Sequence, residues 1–110
     1  STLSVSGCGR IASVSVTLDM YTRTDTNSEH TDGFVNYPRS VRGVEVSLFF
    51  REVEPGSFKV GFRSKGRVDV GSLARELGGG GHHNAAGALV KGDIDHVRSF
   101  VMNRLEHLLP

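Results

Sequence analysis

Apolar and polar residues alternate along three stretches of the chain, and each reads as a β-strand. Ala12, Val14, Val16 and Leu18 fall on one side and Ser13, Ser15 and Thr17 on the other, the two-residue period of a half-buried strand that starts near Ile11. Val44, Val46, Leu48 and Phe50 alternate with Glu45, Ser47, Phe49 and Arg51, a strand whose second face is only partly polar. Phe58, Val60 and Phe62 alternate with Lys59, Gly61 and Arg63. Between these two runs stands Glu54-Pro55-Gly56-Ser57, where a proline with fixed φ and a glycine free to take positive φ suit the centre of a type II turn. The pair is therefore expected to form a hairpin, with Arg63 pointing away from Phe62 and its apolar neighbours. The period then lengthens. Val70, Leu73, Ala74 and Leu77 recur at helical spacing behind Asp69, a capping residue. Ala86 to Lys91 reads as a further strand. Gly92-Asp93 opens a last helix whose apolar stripe is Ile94, Val97, Phe100, Val101, Leu105 and Leu108, with Arg98, Asn103, Arg104 and Glu106 largely off it.

The remaining segments are less regular. Residues 1–9 are small and polar and fit a linker between domains or a first edge strand, with the linker favoured. Tyr21 to His30 has no periodicity and is expected to be a surface loop. Thr31 or Asp32 is placed to cap a short helix through Phe34 and Val35, which must end near Pro38 because the residue before a proline is pushed out of the helical region. The order strand, short helix, hairpin, short helix, strand, long helix defines an α/β or α+β domain with helices packed on a mixed sheet.

With 110 residues the chain is long enough for one domain with a modest core. Its 37% hydrophobic and 23% charged residues exclude disordered and fibrous classes. A net charge of +1 makes no global case for nucleic acid, but Lys59, Arg63, Lys65 and Arg67 are concentrated in one short stretch. Cys8 stands alone and cannot form an internal disulfide. No signal peptide or long apolar run is present, so a reducing cytoplasm is the expected compartment. A chain that starts at Ser1 without methionine is expected to have been excised from something longer.

One stretch answers to no ordinary structural demand: Gly78-Gly79-Gly80-Gly81-His82-His83-Asn84-Ala85-Ala86-Gly87. Consecutive glycines cost backbone entropy on folding, and they leave main-chain N–H groups open to close approach, with imidazole and amide groups beside them. A flexible linker is the ordinary reading of such a run. Here, however, it contains no serine and is held between a short amphipathic helix and an apolar strand. It is not a P-loop, because the glycines follow a helix instead of preceding one, and Gly78 reads as that helix's C-terminal cap. A helix C-terminus repels anions. A phosphate here would be held by the turn's amides and by nearby side chains.

These residues resemble the GGGGHxxAAG signature of the DHHA1 domain, the C-terminal domain of the DHH phosphoesterase superfamily. The resemblance extends through Asp32 to Ser40, Gly43 to Val46 and Phe62 to Lys65, and is closest to the nano-RNase (NrnA-like) branch. It implies a mixed sheet of about four or five strands with flanking helices. It also implies a substrate-binding domain over residues 10–110, joined to an N-terminal DHH domain of the same polypeptide that holds Mn2+ or Mg2+. The implied substrates are short RNA, adenosine 3',5'-bisphosphate (pAp) or dinucleotides, and a homodimer is left open.

A two-metal phosphoesterase site needs several carboxylates and histidines converging on the ions. The acidic residues here are scattered, and His82-His83 follows Gly81 without the Asp-His-His that names the superfamily. No catalytic residue and no metal ligand is therefore assigned in this chain, whose implied role is to grip substrate over the metal site. The substrate-binding candidates are Gly79, Gly80 and Gly81 for backbone amides, His82 for a phosphate or base, and Arg63 for a non-bridging oxygen. His83, Asn84, Ser64 and Arg39 rank behind them. His82 has a plain alternative role, satisfying carbonyls left open at the helix end. Two rival functions stand beside the first: a cyclic-di-AMP or linear dinucleotide phosphodiesterase, and a stand-alone nucleic-acid-binding module, for which Tyr37 is the best stacking candidate. A metal site on His82 and His83 is disfavoured by their adjacency and the lack of thiolates.

Overall fold

The hairpin predicted from the alternation consists of β3 (Val46–Glu54) and β4 (Ser57–Ser64), joined at Pro55-Gly56 with Gly56 at φ +74°. A type II turn fits the right-handed twist of its strands poorly. The ladder absorbs the mismatch with a register shift between Glu52 and Glu54, a local irregularity of the kind that adds twist.

The computed structural model describes residues 2–6, 9–19 and 43–110. Around the hairpin, these residues form a six-stranded mixed sheet in the order β1-β2-β3-β4-β6-β5. Here β1 is Thr2–Ser6, β2 Ile11–Val16, β5 Gly80–His82 and β6 Ala85–Lys91. Only β2 and β3 pair in parallel. Two complete helices lie among the described residues, α1 (Val70–Glu76) and α2 (Ile94–Glu106), capped by Asp69 and Asp93, whose carboxylates accept from the N–H of Ser72 and His96. The loop expected over 21–30, the helix expected over 31–38, Tyr37 and Cys8 lie outside the described residues.

Two expectations at the start of the chain are corrected. Thr2–Ser6, favoured as linker, pairs antiparallel with β2 as the edge strand. β2, expected to be half-buried, is buried on both faces, Ser13 and Ser15 included. The serines escape an unsatisfied burial at least in part because α2 supplies a partner: Arg98 Nη2 donates to Ser15 Oγ at 2.6 Å.

The largest apolar cluster lies on one face of the sheet, where Val46, Leu48, Phe50, Phe58, Val60, Phe62, Ala88 and Val90 meet Leu73 and Ala74 of α1 and Val97, Val101 and Leu105 of α2, while Ala12, Val14, Val16 and Phe49 are buried on the other face. Each of the three fully buried phenylalanines removes an area worth about 1.5–3 kcal/mol of apolar transfer. Leu108, expected on the apolar stripe, is exposed because α2 ends at Glu106. Arg98, expected off the stripe, is half-buried. His96 and His107 are exposed yet engaged: His96 stacks on Phe100, and His107 Nδ1 lies 2.7 Å from the Asn103 carbonyl.

Candidate phosphate-binding face

Strand alternation sends every second residue to the face opposite the core, and the register aligns those residues in rows. One row runs Ser47, Arg63, Ala85, His82 across β3, β4, β6 and β5; the next runs Phe49, Gly61, Gly87, Gly80; a third runs Arg51, Lys59, Leu89. Ser47 and Phe49 are buried, so this face is open over β4, β6 and β5. The middle row has no side chains along that open part. Its floor is main chain, with the Arg63 and His82 row on one side and Lys59 and Leu89 on the other. Arg63 and His82 stand two strands apart, about 10 Å between backbones. Among the described residues neither has a side-chain hydrogen bond or ion pair. The plain alternative for His82 thus finds no support: the end of α1 is closed by other groups.

Those groups are the first two glycines. Gly78, at φ +87°, donates to the Arg75 carbonyl at 3.1 Å, and Gly79 donates to the Ala74 carbonyl at 2.8 Å, the paired bonds of a Schellman cap. The amide of Gly79, expected to face a ligand, is therefore engaged within the fold. Gly79 also packs tightly, since a Cβ there would lie 2.1 Å from the Gly87 carbonyl oxygen. Gly81, at φ +143°, has no room either, with the Cα of Ala86 2.5 Å from where a Cβ would stand. Only Gly80 of the four combines ordinary φ with open space within 4 Å of a Cβ. Folding does not require the absence of its side chain, so the bareness of that spot is available to a ligand.

The hairpin β5–β6 turns at His83-Asn84, and its carbonyls are tied to two neighbours. His83 O accepts from Val70 N at 3.0 Å, which satisfies a first-turn donor of α1, and Asn84 O accepts from Ser64 N at 2.9 Å. The His83 imidazole braces the same corner, with Nε2 2.8 Å from the Gly66 carbonyl and Nδ1 3.6 Å from Asp69 Oδ2. A carbonyl only accepts, so Nε2 carries the donated proton. Hydrogen bonding from Ser72 N, aided by the charges of His83 and Arg75, holds the Asp69 carboxyl below its ordinary range. His83 is thus a brace that sets His82 in place.

The other candidates divide accordingly. Ser64 follows Arg63 and so faces the core side, where it is buried with Oγ accepting from Gly66 N at 3.0 Å, across the sheet from the open face. Asn84 is exposed at the tip of the turn. Arg39 lies outside the described residues. Gly61, Gly87 and Lys59 were not singled out from sequence as part of a site, because only the strand register reveals that they complete the floor and its far wall. Among the described residues no group of three or more His, Cys, Asp or Glu could hold a metal ion, and no helix is long and apolar enough to cross a membrane.

A sheet with both complete helices of the described residues on one face and a glycine-histidine hairpin at its edge defines a domain class, and residues 11–107 match the DHHA1 domain. The chain belongs to that family. It is 44% identical over 82 residues to the bifunctional oligoribonuclease and PAP phosphatase NrnA of Thermus thermophilus, covering 74% of this chain and 25% of the relative. Among solved structures, an exopolyphosphatase-related protein from Bacteroides fragilis superposes with a TM-score of 0.76 at 31% identity, covering 89% of this chain and 30% of that one. A pGpG-specific phosphodiesterase from Vibrio cholerae superposes with a TM-score of 0.65 over 96% of this chain and 34% of its own, and at 15% identity it is similar in fold alone. The chain spans about a quarter of the length of the NrnA relative.

Proposed function

We propose that this chain is the substrate-binding domain of a phosphoesterase that hydrolyses short oligoribonucleotides and adenosine 3',5'-bisphosphate. The observation that supports it is the alignment of Arg63 and His82, both without partners among the described residues, beside a floor of bare main chain. A guanidinium offers a fork of donors to paired phosphate oxygens, and an imidazole can donate to a phosphate or to a base edge. Without side chains between them, a sugar-phosphate backbone can lie against the sheet. Likeness to an enzyme named for oligoribonuclease and PAP phosphatase activities supports the same substrates. The reading places the metal ions, Mn2+ or Mg2+, in an N-terminal DHH domain of the same polypeptide in the cytoplasm. The described residues of this chain offer them no site. Its own part is to bind, orient and exclude water.

The test is binding of a non-hydrolysable diadenylate to the full-length protein. Arg63→Ala is expected to weaken it by about tenfold or more, the loss of one charge-assisted hydrogen bond, at unchanged melting temperature. Unaltered affinity would sink the reading.

A further inference from the structure

We propose that Arg51 and Lys59 form a second phosphate site where that open face meets β3, one that lets the protein favour oligonucleotides over a mononucleotide bisphosphate. This inference rests on the reading above and deepens it.

Arg51 and Lys59 are directly opposite each other on adjacent antiparallel strands, in the row beyond the glycine floor. Like charges in that position destabilise a sheet. Among the described residues no carboxylate pairs with either. Glu52, the nearest acid in sequence, is engaged elsewhere, accepting from Leu18 N at 3.0 Å and Gly56 N at 3.2 Å. Two facing cations with no counter-charge among the described residues raise the local affinity for an anion, and a phosphodiester supplies that charge.

The position of this pair decides what it would read. Lys59 is four residues from Arg63 on β4, a separation of about 13 Å along the strand, and the one same-face residue between them is Gly61. A sugar-phosphate chain anchored at Arg63 and His82 can run along β4 to Lys59 without meeting a side chain. A single nucleotide held at Arg63 does not extend that far. Leu89, next in the row and 53% exposed, provides an apolar surface beside Lys59 for a ribose or base.

The experiment uses the full-length protein carrying Arg51→Gln and Lys59→Gln, which keep much of the side-chain stems and remove the charges. With a 5'-phosphorylated tetraribonucleotide, kcat/KM is expected to fall on the order of tenfold, and its dependence on salt to flatten because fewer phosphates are neutralised. With adenosine 3',5'-bisphosphate, kcat/KM should stay within about twofold. The melting temperature should hold or rise as the repulsion is relieved. Equal losses on both substrates, or no loss on the tetranucleotide, overturn the proposal. Arg63→Ala run in parallel separates the two ideas: if it lowers both substrates while the double variant lowers neither, the second site alone is wrong. If Arg63→Ala changes neither, the underlying reading is wrong as well.

Discussion

Gly71, in the first turn of α1, lies against the main chain of His82: a methyl group on Gly71 would stand 2.8 Å from the His82 carbonyl oxygen and 3.0 Å from its carbon. The helix thus seats directly on the backbone that presents the imidazole, and the atom in the way is main chain, which has little freedom to yield. Gly71→Ala gains about 1 kcal/mol of helix propensity but forces the hairpin outward at an overpacking cost of about 1–3 kcal/mol. The expected outcome is a small net loss of stability with a larger loss of nucleotide affinity, because His82 moves relative to Arg63. Calorimetry and a binding titration on the same variant check both; a variant with native affinity would show that the helix does not set the imidazole's position.

The glycines of the motif should separate by substitution. Gly81→Ala meets both positive φ and the Ala86 backbone, and Gly79→Ala meets the Gly87 carbonyl; each is expected to lose about 2 kcal/mol or more. Gly80→Ala meets nothing within 4 Å and should leave stability within about 0.5 kcal/mol. Its effect should appear in substrate affinity, since the added methyl stands on the floor that a ligand approaches. Thermal melts and kcat/KM of the three full-length variants would reveal that pattern, and a Gly80→Ala enzyme with native kcat/KM would mean that no ligand passes there.

Much of this arrangement is legible before any coordinates. The hairpin, the two Asp-capped helices and the outward face of Arg63 follow from periodicity and capping chemistry alone. The same alternation that turns Arg63 outward turns Ser64 inward, so the two stand on opposite faces of the strand they share. β5 could not be read from Gly80-Gly81-His82 because it has no apolar alternation; it is a strand only because the two-residue turn at His83-Asn84 folds it back onto Ala85. The row Gly61, Gly87, Gly80 depends on register between segments far apart in sequence, which local pattern does not encode. Burial of Ser13 and Ser15 depends likewise on α2, whose Arg98 bonds Ser15 from the far end of the chain.

Adjacent histidines should have opposite phenotypes. His83→Ala removes the contact with the Gly66 carbonyl and the proximity to Asp69, a loss of about 0.5–1.5 kcal/mol in stability for one such bond. His82→Ala breaks no contact with the described residues, so its melting temperature should not move. If its imidazole donates to a phosphate, about 1.5–3 kcal/mol is at stake, a fall in kcat/KM of roughly tenfold to a hundredfold. The opposite pairing, with His82→Ala unstable and fully active, would reassign the two residues.

Asp69 links the brace to pH. Its Oδ1 caps α1 by accepting from Ser72 N at 3.0 Å, and its Oδ2 faces His83. The Ser72 bond, then the charges of His83 and Arg75, hold its carboxyl below the ordinary value. A carboxyl depressed in the folded state binds its proton more readily when unfolded. Its stabilising contribution is therefore complete above the unfolded pKa of about 4 and is lost as pH falls through the lower folded value. Asn at this position keeps a capping oxygen but has no charge to titrate. The melting temperature of Asp69→Asn should thus lie below that of the unsubstituted protein at neutral pH, with the gap narrowing below about pH 4. In an Arg75→Ala background the neutral-pH gap should be smaller, because a cation that favours the ionised carboxyl is gone. A gap that stayed constant from neutral to strongly acidic pH would show that the carboxylate's charge does not hold this corner, leaving the cap's geometry as its whole contribution.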